Sequence, residues 1–181
     1  VLLNLSVIVP VLDDDQRLKT LLQVLEGSVS EIIVVDGGKS EFVVEQCSLY
    51  GAKYLRQAAS RGAQIAKGIE ESKTPLLWVL HVDAYGLDEP LSRLKELAGS
   101  SEIIWGRFDV IMPELRWVPR MMNLRSRLTK ICTGDQGMFF SASALSRVGG
   151  FPSQPLMEDV ECSRRLKRCI GARYVACRER L

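Results

Sequence analysis

The stretch Pro75-Leu76-Leu77-Trp78-Val79-Leu80-His81-Val82-Asp83 reads as a strand that carries one carboxylate beyond an apolar core. Two earlier runs have the same form. Leu5-Ser6-Val7-Ile8-Val9-Pro10-Val11 is followed by Asp13 to Asp15, and Glu31-Ile32-Ile33-Val34-Val35 ends on Asp36. Acids gathered at the carboxyl ends of strands are how an α/β sheet presents ligands for a hard divalent cation and an anionic, nucleotide-like group.

Between these strands the apolar period switches to that of helices. Leu18, Leu21, Leu22 and Leu25 share a helical face that Gly27 ends; Ser40 caps a helix running to about Tyr50, closed by Gly51. A short strand over 52–55, a helix over 60–71 and another over 89–98 complete four successive βα units, which predicts a mostly parallel sheet flanked by helices. After Gly99 the pattern becomes irregular: a strand over 103–112, a basic amphipathic helix over 119–131, a strand over 137–141 and a helix over 158–168. The expectation is one domain over 1–181, with a nucleotide-binding half to about residue 99 and an acceptor-side half from about 100.

A chain of 181 residues with 46% hydrophobic residues and a net charge of +2 has enough apolar material for one core and too little charge for a general nucleic-acid footprint. Its five cysteines show no Cys-x-x-Cys pair and read as reduced thiols, hence a cytoplasmic setting. No apolar run reaches the roughly 18 residues of a membrane span, so any membrane contact is expected to be peripheral, at the inner face. In the basic helix, Arg116, Arg120, Arg125, Arg127 and Lys130 interleave with Trp117, Met121, Met122 and Leu124. That pattern suits an anionic membrane surface, but packing of the apolar face on the core is the ordinary behaviour and is the one expected.

Four further clusters carry chemistry. Asp36 precedes Gly37-Gly38, so it either meets a base or ribose at the strand tip or caps the next helix. Arg61-Gly62-Ala63-Gln64 opens a helix with a planar cationic fork beside free amides. Gly134-Asp135-Gln136-Gly137 sets two polar side chains between glycines, as a pocket loop or a plain turn would. Glu158, Asp159 and Glu161 begin a helix that turns basic at Arg164 to Arg168. They complement the helix dipole, or one of them takes a proton as general base.

Together with Gly149-Gly150-Phe151-Pro152, these motifs occur in an order that resembles the family 2 glycosyltransferases of GT-A fold, and more narrowly their radical-SAM/selenodomain-associated transferase 2 subgroup, from about Leu5 to Arg168. The resemblance implies an inverting transfer of a sugar from a nucleotide-diphosphate donor to an acceptor hydroxyl, assisted by Mg²⁺ or Mn²⁺. In that picture Asp36 and Arg61 hold the base, and Pro10, Asp13, Gly37, Gln64 and His81 stand on the donor side. Arg125 reaches the diphosphate, Asp83 is the metal-binding acid of the Asp-x-Asp motif, and Asp135 and Gln136 line the acceptor side. Asp159 is the general base, aligned by Glu158. His81 replaces the first acid of Asp-x-Asp, and Leu12-Asp13-Asp14 stands where many relatives carry Asn-Glu. A non-catalytic nucleotide-sugar binder is the nearest alternative. A sugar nucleotidylyltransferase or a dinucleotide oxidoreductase would need a glycine-rich loop after the first strand, where Val9-Pro10-Val11-Leu12 stands.

Overall fold

A computed structural model describes residues 2–12, 15–112, 115 and 117–181; Asp13, one of the expected donor-side residues, lies outside the described residues, as does Arg116 of the basic segment. The elements follow in the order β1 (Leu3–Val11), α1 (Asp15–Leu25), β2 (Val29–Asp36), α2 (Glu41–Leu49), β3 (Lys53–Arg56), α3 (Arg61–Glu70), β4 (Leu76–Val79), α4 (Asp88–Ala98) and β5 (Ile104–Asp109). Next come α5 (Val118–Thr129), a 3-10 turn at Gly134–Gln136, β6 (Phe139–Ser141), α6 (Ala142–Arg147), α7 (Glu158–Lys167) and β7 (Arg173–Arg180).

All seven strands join one sheet in the order β3-β2-β1-β4-β6-β5-β7. The first four strands are parallel, β6 runs antiparallel between β4 and β5, and β7 lies parallel to β5. Strand alternation divides the core. Leu5, Val7, Val9 and Val11 face a cluster shared with Leu18, Leu22, Val43 and Leu94, so α1, α2 and α4 cover that side. Ile8, Leu77 and Trp105 face the other, with Ile65, Leu145, Cys162 and Leu166 from α3, α6 and α7. Gly68 lets α3 lie close to the sheet, because a Cβ there would come 2.6 Å from Ile8 Cγ2. At α2 the cap predicted from sequence is formed: the Ser40 hydroxyl accepts from the Val43 N–H.

Three features depart from the sequence reading. Strand β4 ends at Val79, short of the expected Val82, with one further backbone bond from Leu80 N to the Ile8 carbonyl at 3.0 Å. Pro10 explains it. It lies two residues after Ile8, so its backbone faces β4 as well, and it has no N–H to continue the ladder. Helix α6 and strand β7 were not foreseen; β7 buries only Val175 and Cys177 among exposed or half-buried neighbours, a weak signal in sequence.

The third departure is α5. Its buried residues are Pro119, Asn123 and Ser126, and the Asn123 side chain is held by both polar groups of Val110 while Arg107 reaches the Asn123 carbonyl. The apolar side was expected on the core and is exposed instead. Buried arginine and asparagine groups need partners that an apolar helix face cannot give, so α5 turns its polar side inward.

Candidate functional site

The strand order changes direction at β1: β2 lies on one side and β4 on the other. Crevices outside the carboxyl ends of such strands are where open α/β sheets bind ligands. Here Pro10, Val11 and Leu12 leave β1, and the chain from β4 enters a turn closed by Ala84 N to the His81 carbonyl at 3.1 Å. Asp83 therefore sits in a turn beyond the strand, not on the strand itself. His81 and Asp83 stand between two cavities and line both.

One cavity, of about 460 Å³, is bordered by Pro10, Leu12, Ser60, Arg61 and Pro155, with Gln64 at its floor. The other, of about 410 Å³, is walled by Leu80, Tyr85, Ile111, Met112 and Leu181, with Asp135 and Gly134 beside the shared ridge. Asp83 is 61% exposed, and the Arg17 guanidinium from α1 comes within 3.9 Å of it. The His81 Nδ1 lies 3.5 Å from Asp135 Oδ1. Its Nε2 is buried with no hydrogen-bond partner among the described residues, and a Cβ on Gly134 would come 2.7 Å from that atom. Burial lowers the imidazole pKa and outweighs the opposing pull of Asp135, so the ring is neutral at neutral pH.

Behind the ridge is a layer of tied charges. The Arg61 Nε donates to Glu158 Oε1, and its Nη2 lies 3.5 Å from Asp159 Oδ2. Asp159 Oδ2 also accepts from the Gly134 N–H at 2.7 Å, and Oδ1 from the Val160 N–H at 2.7 Å. Met157, with φ of 58°, supplies the left-handed backbone that starts α7 and sends both acids inward. Arg61 is thus joined to the acid pair, and Glu158 acts on Asp159 through Arg61.

Gly62 fits this layer by size alone. A Cβ there would come 2.2 Å from the Gln154 carbonyl, in the segment leading into α7, and 3.2 Å from Glu158 Cβ, at the first residue of α7. Gly62→Ala is expected to force that segment outward and lower stability by about 1–3 kcal/mol, measurable by urea unfolding. An unchanged midpoint would show that the segment gives way at no cost.

The remaining candidates separate. Asp36 is buried away from both cavities; its carboxylate accepts from Gly38 N at 2.7 Å and from the Tyr54 hydroxyl at 3.1 Å. The Gln64 amide ties β1 to β2 by donating to the carbonyls of Val11 and Val35, with Gly37 packed against its side chain. Gln136 is fully buried and donates to Asn123 and Ser126, so it braces the turn and lines neither cavity. Arg125 is exposed on α5 and borders neither cavity. Sequence reasoning missed Arg17, Tyr54 and the orphaned His81 nitrogen. Arg17 alone carried a signal, as a cation in the first turns after β1.

The Glycosyl transferase family 2 profile matches residues 6–148, most of the chain. The chain belongs to this family. No curated protein matches. Among solved structures, similarity extends to glucosyl-3-phosphoglycerate synthase from Mycobacterium tuberculosis in complex with Mg²⁺ and UDP, at a TM-score of 0.70 and 14% identity, covering 98% of this chain and 69% of that one. A mannosyltransferase from Pyrobaculum calidifontis in complex with GDP-Man and Mn²⁺ gives a TM-score of 0.74 at 17% identity, covering 97% of this chain and 55% of that one. The likeness establishes the GT-A fold of the family, and the chain spans roughly half to two thirds of the length of these neighbours.

The residues present suit the divalent ion that the family implies. Mg²⁺ and Mn²⁺ ask for one or two carboxylates and take their remaining oxygens from phosphate and water. Asp83 offers an exposed carboxylate on the ridge. Among the described residues no three His, Cys, Asp or Glu side chains are grouped to hold an ion unaided.

Proposed function

We propose that the chain transfers a glycosyl group from a nucleotide-diphosphate sugar to an acceptor hydroxyl with inversion, and that it falls in the radical-SAM/selenodomain-associated transferase 2 subgroup. The carrying observation is the His81–Asp83 ridge, which borders both cavities at the sheet's switch point and so can meet donor and acceptor together. The cavity beside Pro10 and Arg61 takes the nucleotide. Asp83 holds Mg²⁺ or Mn²⁺, which when bound offsets charge on the departing diphosphate. The largely apolar cavity receives the acceptor, and Asp159 takes the proton from its hydroxyl while Arg61 and the Gly134 N–H hold the carboxylate in place. A cytoplasmic setting is part of the same proposal, and the five cysteines, free and four of them buried, are compatible with it.

A second reading has its own observation. Asp135 lines the acceptor cavity with a half-exposed carboxylate, whereas Asp159 lies buried behind Gly134. This makes Asp135 the competing base.

The donor assignment is tested by calorimetric titration of UDP, GDP and dTDP, with and without Mn²⁺, on wild type and Asp83→Ala. One nucleotide is expected to bind in a metal-dependent way, and the variant to weaken it about tenfold or more, a change of about 1.4 kcal/mol. Binding of none of them by folded protein, or binding indifferent to metal and to Asp83, overturns the assignment.

A further inference from the structure

Helix α5 presents an apolar stripe to solvent: Trp117 just before it is 75% exposed, Met121 63%, Leu124 50% and Leu128 75%. These residues recur every three or four positions, so they form one continuous line directly opposite the buried Pro119, Asn123 and Ser126. Arg120 flanks the stripe on one side and Arg125 on the other, both exposed. The Arg120 guanidinium lies 5.7 Å over the Trp117 ring, which sets a cation and an indole at one level. The sequence of α5 contains no acid, and Lys167 adds its ammonium at the Thr129 carbonyl.

We infer that this face docks on an anionic lipid bilayer, the stripe entering the headgroup–acyl boundary and the flanking arginines lying among lipid phosphates. Charge decides the occupant. A second copy meeting this face by two-fold symmetry would set arginines against arginines with no acid on the helix to separate them, whereas anionic headgroups satisfy the same cations. The stripe also has the composition of an interfacial helix: Trp, Met and Leu on one line, with arginines at its margins whose stems can snorkel. Leu115 borders the acceptor cavity and also a neighbouring groove that includes Pro119 and Arg120, so docking would turn that cavity's mouth toward the lipid. Only this last consequence rests on the glycosyl-transfer reading.

The test is flotation with vesicles of phosphatidylcholine alone and of an equal mixture with phosphatidylglycerol, alongside tryptophan fluorescence. Trp78 and Trp105 are buried, so Trp117 is the tryptophan that reports contact. Wild type is expected to float with the mixed vesicles only, with emission shifted to the blue and quenched by brominated lipid. Met121→Ser, Leu124→Ser and Leu128→Ser combined alter exposed positions alone and are expected to reduce partition about tenfold or more at an unchanged melting temperature. Arg120→Gln with Arg125→Gln should cost about as much on the mixed vesicles. Absence of wild-type flotation, or flotation undiminished in the serine variant, overturns the proposal. So does a concentration-dependent dimer that the serine variant abolishes, since that assigns the stripe to a second copy.

Discussion

Asp159→Asn is expected to lower glycosyl transfer by two to four orders of magnitude while leaving nucleotide binding within about twofold. The amide keeps the volume of the carboxylate, and its oxygen can still accept from the Gly134 N–H that Asp159 holds at 2.7 Å. What it loses is the capacity to take a proton. Single-turnover transfer measured beside donor titration separates the readings. Loss of transfer with binding intact makes Asp159 the base, and loss with Asp135→Asn alone moves the role to Asp135. Equal retention of donor binding with no transfer in wild type, across a screen of sugars and acceptors, points to a non-catalytic binder.

Arg61→Met is expected to destabilise the fold by about 3 kcal/mol, because it strands the Glu158 carboxylate. That side chain is 1% exposed; Arg61 meets its Oε1, and its Oε2 has no hydrogen-bond partner among the described residues. The Arg61 side chain is 40% exposed, and this sets the loss at the lower end of the range for a broken buried pair. The same stability for Arg61→Met and for Arg61→Met with Glu158→Gln would show that no buried charge had been stranded. Recovery of most of the loss in the double variant is the expected result, read from urea unfolding of all members of the cycle.

The first half of the fold was legible because its signals are local. Leu5 to Val11 and Glu31 to Asp36 are continuous apolar runs between caps and glycines, and they became adjacent parallel strands. The second half depends on partners distant in sequence. Phe139 and Phe140 are bracketed by Trp78 and Trp105, so the antiparallel insertion of β6 is decided by two other strands and not by its own few residues. The basic helix misled for a similar reason. Its pattern was read correctly as amphipathic, but which side is buried is set by Arg107, a residue of another strand that makes hydrogen bonds to the Asn123 and Cys177 carbonyls. At the site, residue types on the ridge were readable, whereas the pairing of Arg61 with Glu158 spans most of the chain and leaves no local trace.

The ridge of His81 and Asp83 has one more consequence, because a wall common to two cavities is a thermodynamic link between them. A ligand that draws the Asp83 carboxylate to one side changes the charge and the space met on the other, so the two occupancies are expected to be coupled. Reciprocity then makes the two effects equal: whatever factor the first ligand applies to the affinity of the second, the second applies to the first.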